Sequence, residues 1–274
     1  MIDRGVALGS LDPERTEPRG PAESAPIVIL TFSHSGAEPL YDFLASSSSL
    51  FCTARTGLLP MCESIASTWQ RVERRQELSA LAASSIRALV TSMAVAHSAI
   101  SGARRAESGQ PRWCEAATSA TSAAGTFLKV FPQAKFVCFH RRCDKVISEV
   151  IESNPWGFGK TEFWPYSAAD PGNNLAMAGS YWAESTRSLL DFQLAQPQSC
   201  LRLRREDLES DPQEQLRRVW SFLGLAAPPA AIRPESDPVL TGRRTQTQFP
   251  ADRLPPRLRR VINELNARLG YSPL

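Results

Sequence analysis

The run Ile27-Val28-Ile29-Leu30 breaks into Ser33-His34-Ser35-Gly36, and a helix-forming stretch opens at Pro39. A short apolar strand, a tight polar loop and an immediate helix form the opening unit of an α/β sheet, with Pro at an early helical position where its missing N–H does no harm. Similar runs recur at 50–54, 112–115, 135–140 and 200–204. Helical patterns fill the gaps at 63–74, 79–105, 121–131, from Asp144, and at 211–223, the last with Asp211 as its N-cap and Pro212 in the first turn. Strands separated by helices predict a parallel sheet between helical layers, hence a three-layer α/β fold.

The 274 residues, 42% of them hydrophobic, suffice for one sizeable core. The expected organisation is a flexible leader over 1–25, rich in Pro, Gly, Glu and Arg, then one domain over 26–274. An aromatic lid or substrate loop is expected at about 154–174. A net charge of +3 is too small an excess for a nucleic-acid or membrane-surface protein. The longest apolar runs fall short of the roughly 20 residues a membrane helix needs, so no transmembrane segment is expected. Cys52, Cys62, Cys114, Cys138, Cys143 and Cys200 form no CxxC pair and no zinc pattern, so they read as reduced thiols in a cytoplasmic protein without a metal.

Two segments carry chemistry. The loop Ser33, His34, Ser35, Gly36, Ala37 offers backbone N–H groups at a helix N-terminus, with Gly36 allowing close approach of an anion. It lacks the Lys of a Walker A sequence, which counts against ATP or GTP hydrolysis and against a nucleotide kinase. Arg141 ends the strand at 135–140, where open α/β sheets bind ligands, and a guanidinium there can grip a phosphate bidentately. On the residues alone, a plain strand-to-helix turn and a surface Arg pair explain the two segments equally well.

The block FPQAKFVCFHR at 131–141, LRLRREDL at 201–208, WSFLGL at 220–225 and the closing LGY at 269–271 together resemble the PAPS-dependent sulfotransferase family. RWCE at 112–115 is similar to that family's WxEKxP element, and with TGLLP at 56–60 it resembles an actinobacterial-type branch. The resemblance covers about 26–271 and implies a P-loop-kinase-like parallel sheet. It also implies transfer of a sulfuryl group from PAPS, leaving PAP, to a hydroxyl or amine of a small acceptor. Residues 33–37 would take the phosphosulfate end. Arg141, Ser148 and the basic Arg243 and Arg244 would take the 3′-phosphate. Glu115 is the expected general base, ahead of Glu63, and His34 the expected acid or cation at the leaving phosphate. His140 and His97 read as structural.

The chain departs from the family pattern at several points. His34 stands for a basic residue, Ala37 and Glu38 for two Thr, Ala116 for Lys, Glu149 for Ser and Arg205 for Tyr. Two readings therefore stay open. One is an enzyme acting on an apolar or aromatic metabolite, in specialised metabolism and with a homodimer allowed. The other is a sulfotransferase-fold protein that binds a ligand or partner without catalysis.

Overall fold

The computed structural model describes residues 25–54, 56–100, 112–118, 121–154, 163–166, 171–225 and 249–274. The strands are β1 (Ile27–Leu30), β2 (Leu50–Ala54), β3 (Arg112–Ala117), β4 (Lys135–His140) and β5 (Cys200–Arg204). The helices are α1 (Glu38–Ala45), α2 (Leu58–Glu73), α3 (Ala80–Ile100), α4 (Thr121–Val130), α5 (Cys143–Ser153), α6 (Asn174–Ala195), α7 (Arg205–Ser210), α8 (Pro212–Leu223) and α9 (Pro256–Leu269). The strands pair in parallel in the order β2-β3-β1-β4-β5.

This order puts β1 at the centre, where Ile27 faces Cys114 on one side and Lys135 on the other. Side-chain alternation along the strands then makes two cores. Val28, Leu30, Trp113, Phe136 and Cys138 face the larger one, which α2–α6 and α9 cover. Ile27, Ile29, Cys114, Val137, Phe139 and Leu203 face the smaller one, closed by α1, α7 and α8. Arg112 is buried at the start of β3 and donates to the carbonyls of Ala25 and Leu223, so its guanidinium ties the segment before β1 to the end of α8.

Two long helices carry no mark in the sequence reading. Helix α6 buries residues on several sides, Ala176–Gly179 and Tyr181–Ala183 among them, and intersperses polar residues such as Glu184, Arg187 and Asp191, so it shows only a weak amphipathic stripe. Helix α9 opens at the Pro255-Pro256 pair, where proline is harmless, and is dense in Arg. Helix α3 corrects the reading of short apolar runs: Ala80–His97 is long and apolar enough, by length and composition, to cross a membrane. Its buried residues Ala82, Ile86, Val90 and Ala94 recur at helical spacing, and the last three join the larger core. All six cysteines are free. Residues 1–24 of the expected leader, and 155–162 and 167–170 of the expected aromatic loop, lie outside the described residues.

Candidate active site

The chain leaves β1 through Thr31, whose N–H donates to Ala117 of β3 at 3.1 Å. It then turns tightly: the Ser35 N–H donates to Phe32 O at 3.2 Å, and the buried Thr31 hydroxyl donates to the Ser35 hydroxyl at 2.6 Å. His34 and Gly36 both have left-handed backbones, with φ 63° and 69°. Helix α1 begins with Ala37 at its N-cap, no side-chain cap and Pro39 in the first turn. Its opening N–H groups therefore face out of the loop as a helix N-terminus that suits an anion.

The adjacent strand end closes onto this loop. Arg141 follows β4, and its Nη1 donates to the His34 carbonyl at 2.8 Å. The same nitrogen pairs with the carboxylate of Glu149, two turns into α5. Glu149 Oε1 lies 3.6 Å from His34 Nδ1. Partial burial pushes the Glu149 carboxyl up, but hydrogen bonds from His34 and Arg141 and the charge of both prevail and hold it at about 2. Arg141 thus reaches the loop with a carboxylate already on its fork. Ser148 stands half-buried one residue before Glu149.

Helix α6 holds both parts in place. Tyr181 accepts the Ser33 N–H at 2.9 Å, and Trp182 donates Nε1 to the Arg141 carbonyl at 3.0 Å. Around Tyr181 stand Phe163 at 4.8 Å, Tyr166 at 6.0 Å and Phe32 at 6.5 Å between ring centroids, and Phe163 also lies 6.0 Å from the His34 ring. Phe163 and Tyr166 belong to the described part of the expected aromatic loop, and Phe163 stands beside His34 as part of an apolar wall. The sequence signal that marks α6 is Asn173, an N-cap whose side chain accepts from the Ala176 N–H at 3.0 Å.

Glu115 lies on β3, opposite Val28, on the strand face that carries Trp113. It is 2% exposed. One oxygen accepts from the Thr56 hydroxyl at 2.6 Å, and the other, Oε2, has no partner among the described residues. Burial raises its carboxyl to about 7, against the lowering effect of the Thr56 hydroxyl and the Leu58 N–H. Thr56 is fixed in turn by the Leu58 N–H at 3.3 Å, where Gly57, with φ 74°, starts α2. A carboxyl raised toward neutrality has the titration that a general base needs, with its unpaired oxygen held inside the fold. Glu63 is 3.5 Å from Ser122 of α4 and has no such setting.

His140 is fully buried, and its Nε2 lies 2.6 Å from Gln193 Nε2, which makes it the acceptor. Burial and the Arg202 charge push its pKa down to about 3, so it is a neutral core group as the sequence reading expected. His97 is exposed on α3. The expected Arg243 and Arg244 lie outside the described residues. Among the described residues no cluster of His, Cys, Asp or Glu could hold a metal ion.

The third strand end adds a residue that sequence reasoning passed over as a mere departure. Arg205 opens α7 directly after β5, and a Cβ built on Gly36 would lie 1.5 Å from Arg205 Nη1. The loop therefore receives a guanidinium in the space that glycine leaves.

The comparisons agree with this arrangement. Residues 26–229 match the model described as the sulfotransferase family, and the chain belongs to that family. Among solved structures it is similar to the sulfotransferase domain from the curacin biosynthetic pathway, with 17% identity, TM-score 0.61, and coverage of 91% of this chain and 99% of that one. It is also similar to the sulfotransferase domain of the Synechococcus PCC 7002 olefin synthase, with 21% identity, TM-score 0.55, and coverage of 94% and 98%. A sulfotransferase from Alicyclobacillus acidocaldarius follows, with 13% identity, TM-score 0.53, and coverage of 90% and 96%. No curated protein matches significantly.

Proposed function

We propose that this chain transfers a sulfuryl group from PAPS to a hydroxyl or amine of a small acceptor. The observation that carries the reading is the closure of the β1 loop onto the end of β4, where Arg141 donates to His34 O beside an uncapped helix start. Residues 33–37 would hold the phosphosulfate end. The cradle fits such a group, because the left-handed turn at Gly36 and the uncapped start of α1 turn backbone N–H groups toward an anion. Arg141, with Ser148, Arg243 and Arg244, would hold the 3′-phosphate. No metal is needed in this scheme, since the cations at the site are side chains.

The donor supplies an activated sulfuryl group. Glu115 takes the acceptor's proton as the new oxygen–sulfur or nitrogen–sulfur bond forms and the bond to the 5′-phosphate breaks. His34 donates toward the departing phosphate, and the opening N–H groups of α1 stabilise the charge that develops there. Tyr181 fixes the loop through the Ser33 N–H and so fixes the direction of those donors. The wall of Phe163, Tyr166 and Tyr181 supports an apolar or aromatic acceptor. Two domains of the same fold come from a curacin biosynthetic pathway and an olefin synthase, which supports a place in specialised metabolism. Six free thiols support a reducing, cytoplasmic compartment.

One observation favours the non-catalytic alternative: Glu149 neutralises the Arg141 fork. Calorimetric titration with PAP, using Arg141→Ala as control, separates the two. Micromolar binding by the wild type that is lost in the variant supports the donor site, and turnover of PAPS with an acceptor panel completes it. Absence of wild-type binding overturns the enzymatic reading in favour of the ligand-binding one.

A further inference from the structure

Within the proposed nucleotide site, the 33–37 loop carries no Arg or Lys of its own to meet a phosphate. Its only basic side chain, His34, turns Nδ1 toward Glu149 at 3.6 Å. A loop built to hold a multiply charged anion needs a positive partner in addition to helix N–H groups, because a phosphate buried against dipoles alone remains poorly compensated.

Arg205 stands where that partner is missing. It is the first residue after β5, and Arg204, one residue earlier, is in register with His140, one residue before Arg141. The ends of β1, β4 and β5 therefore deliver the loop, Arg141 and Arg205 to adjacent positions on one sheet edge. The Arg205 side chain is only 13% exposed, and its Nε is held by Glu209 at 2.7 Å across one turn of α7. Its Nη1 points the other way, over Gly36, where its one acceptor among the described residues is the Gly36 carbonyl at a long 3.5 Å. A guanidinium has five donors, and this one is largely desolvated with its inward fork underused, a state that costs stability unless an acceptor arrives.

The base of Arg205 is rigid. Glu206, the next residue, accepts the Arg142 N–H at 2.9 Å with one oxygen and the Tyr271 hydroxyl at 2.6 Å with the other. Arg204 pairs with Asp207 and donates to the Leu269 and Gly270 carbonyls at 3.0 and 3.1 Å. The start of α7 is thus bolted both to the residue after Arg141 and to the end of α9. Such framing holds a functional side chain to a fixed place.

We infer that Arg205 is the cation of this loop, binding the 5′-phosphate end of the nucleotide from the β5 side in place of a basic residue within the loop itself. The inference rests on the nucleotide-donor reading above. Glycine at position 36 then has a double purpose: it gives the left-handed turn and leaves room for the guanidinium that meets the phosphate.

The test compares PAP with adenosine 3′-phosphate, which lacks the 5′-phosphate, by calorimetry on the full chain. In the wild type PAP should bind more tightly of the two. Arg205→Gln should weaken PAP about tenfold to a hundredfold, the scale of a charged hydrogen bond, and leave adenosine 3′-phosphate unchanged, so that the preference collapses. Arg205→Lys should keep most of it. Should Arg205→Gln fail to fold, Glu209→Gln keeps the arginine but removes its anchor, and a selective loss for PAP is again expected. Equal weakening of both nucleotides, or no weakening, overturns the assignment and leaves the donor reading standing. Failure of the wild type to bind PAP overturns both.

Discussion

Arg141 and Glu149 form an ion pair at the mouth of the candidate site, with His34 Nδ1 only 3.6 Å from the same carboxylate. An internal anion thus engages Arg141 and His34, two of the side chains that a nucleotide phosphate would use. Burial of Arg141, 12% exposed, makes this more than a surface pair, while the Glu149 side chain is 42% exposed and able to swing out.

Replacing Glu149 should therefore tighten PAP binding. Glu149→Ser removes the competing carboxylate, and an increase of about tenfold in affinity is expected by calorimetry, since like charges brought together cost a kcal/mol or more. Unchanged or weaker binding would show that Glu149 does not compete with the ligand. The same pair shapes acid stability. Because the folded carboxyl is held at about 2, below its ordinary 4.5, the pair stabilises the fold above pH 4.5 and its contribution fades as pH falls toward 2. Denaturation curves of Glu149→Gln should lack that limb.

Glu115 gives the opposite sign. Its folded carboxyl is raised to about 7, so the folded state holds a proton that the unfolded state has already released. Stability contributed by this group is present below pH 4.5, declines from there to 7 and is flat above, with a ceiling of roughly 3 kcal/mol. Glu115→Gln should accordingly be more stable than wild type at pH 8 and yet have no turnover. Wild-type kcat/KM should rise with pH, passing half its plateau near 7, as the base ionises. A Gln variant that keeps full rate removes Glu115 from the reaction.

Much of this architecture was legible in the chain. The runs at 50–54, 135–140 and 200–204 coincide with β2, β4 and β5: the inner strand β4 leaves a nearly continuous apolar block, while the edge strand β5 alternates Leu201 and Leu203 with Arg202 and Arg204. Helix α2 begins at Leu58 rather than 63, since Gly57 supplies a left-handed start and Pro60 falls in the first turn, where it is tolerated. Strand order was not legible, as pairing between β1 and β3 joins residues more than eighty positions apart. For the same reason Tyr181, Trp182 and Arg205 escaped: each acts through a neighbour distant in sequence. Glu115, His34 and Arg141 stand out in the sequence as candidates because a family pattern marks them. The electrostatics that pair two of these with Glu149 required the fold.

Gly36 offers a steric test of the site. A methyl group there would meet Arg205 Nη1 at 1.5 Å and would also have to adopt φ 69°. The backbone part alone costs about 1–2 kcal/mol. Gly36→Ala should lower stability by at least that much in denaturant titration and abolish PAP binding. Adding Arg205→Ala relieves the clash but not the backbone strain. The double variant should therefore recover part of the stability and none of the affinity. Equal stability of Gly36→Ala and wild type would mean that the guanidinium is not seated over the loop.

The last prediction concerns Tyr181, which receives the Ser33 N–H at 2.9 Å and packs against Phe32, Phe163 and Tyr166. Tyr181→Phe keeps the ring and its contacts and deletes only the oxygen that anchors the loop. The cost in stability should be about 1 kcal/mol, the net worth of one hydrogen bond whose donor is left half-buried. The larger effect should fall on catalysis, because the donors at the start of α1 must be aimed before the transition state forms. We expect kcat to drop about tenfold while the PAP dissociation constant changes less than threefold. Tyr181→Ala also removes the aromatic wall and should raise KM for an apolar acceptor. A Phe variant with wild-type kcat would show that the loop is held without Tyr181, by Arg141 and the Thr31–Ser35 hydroxyl pair alone.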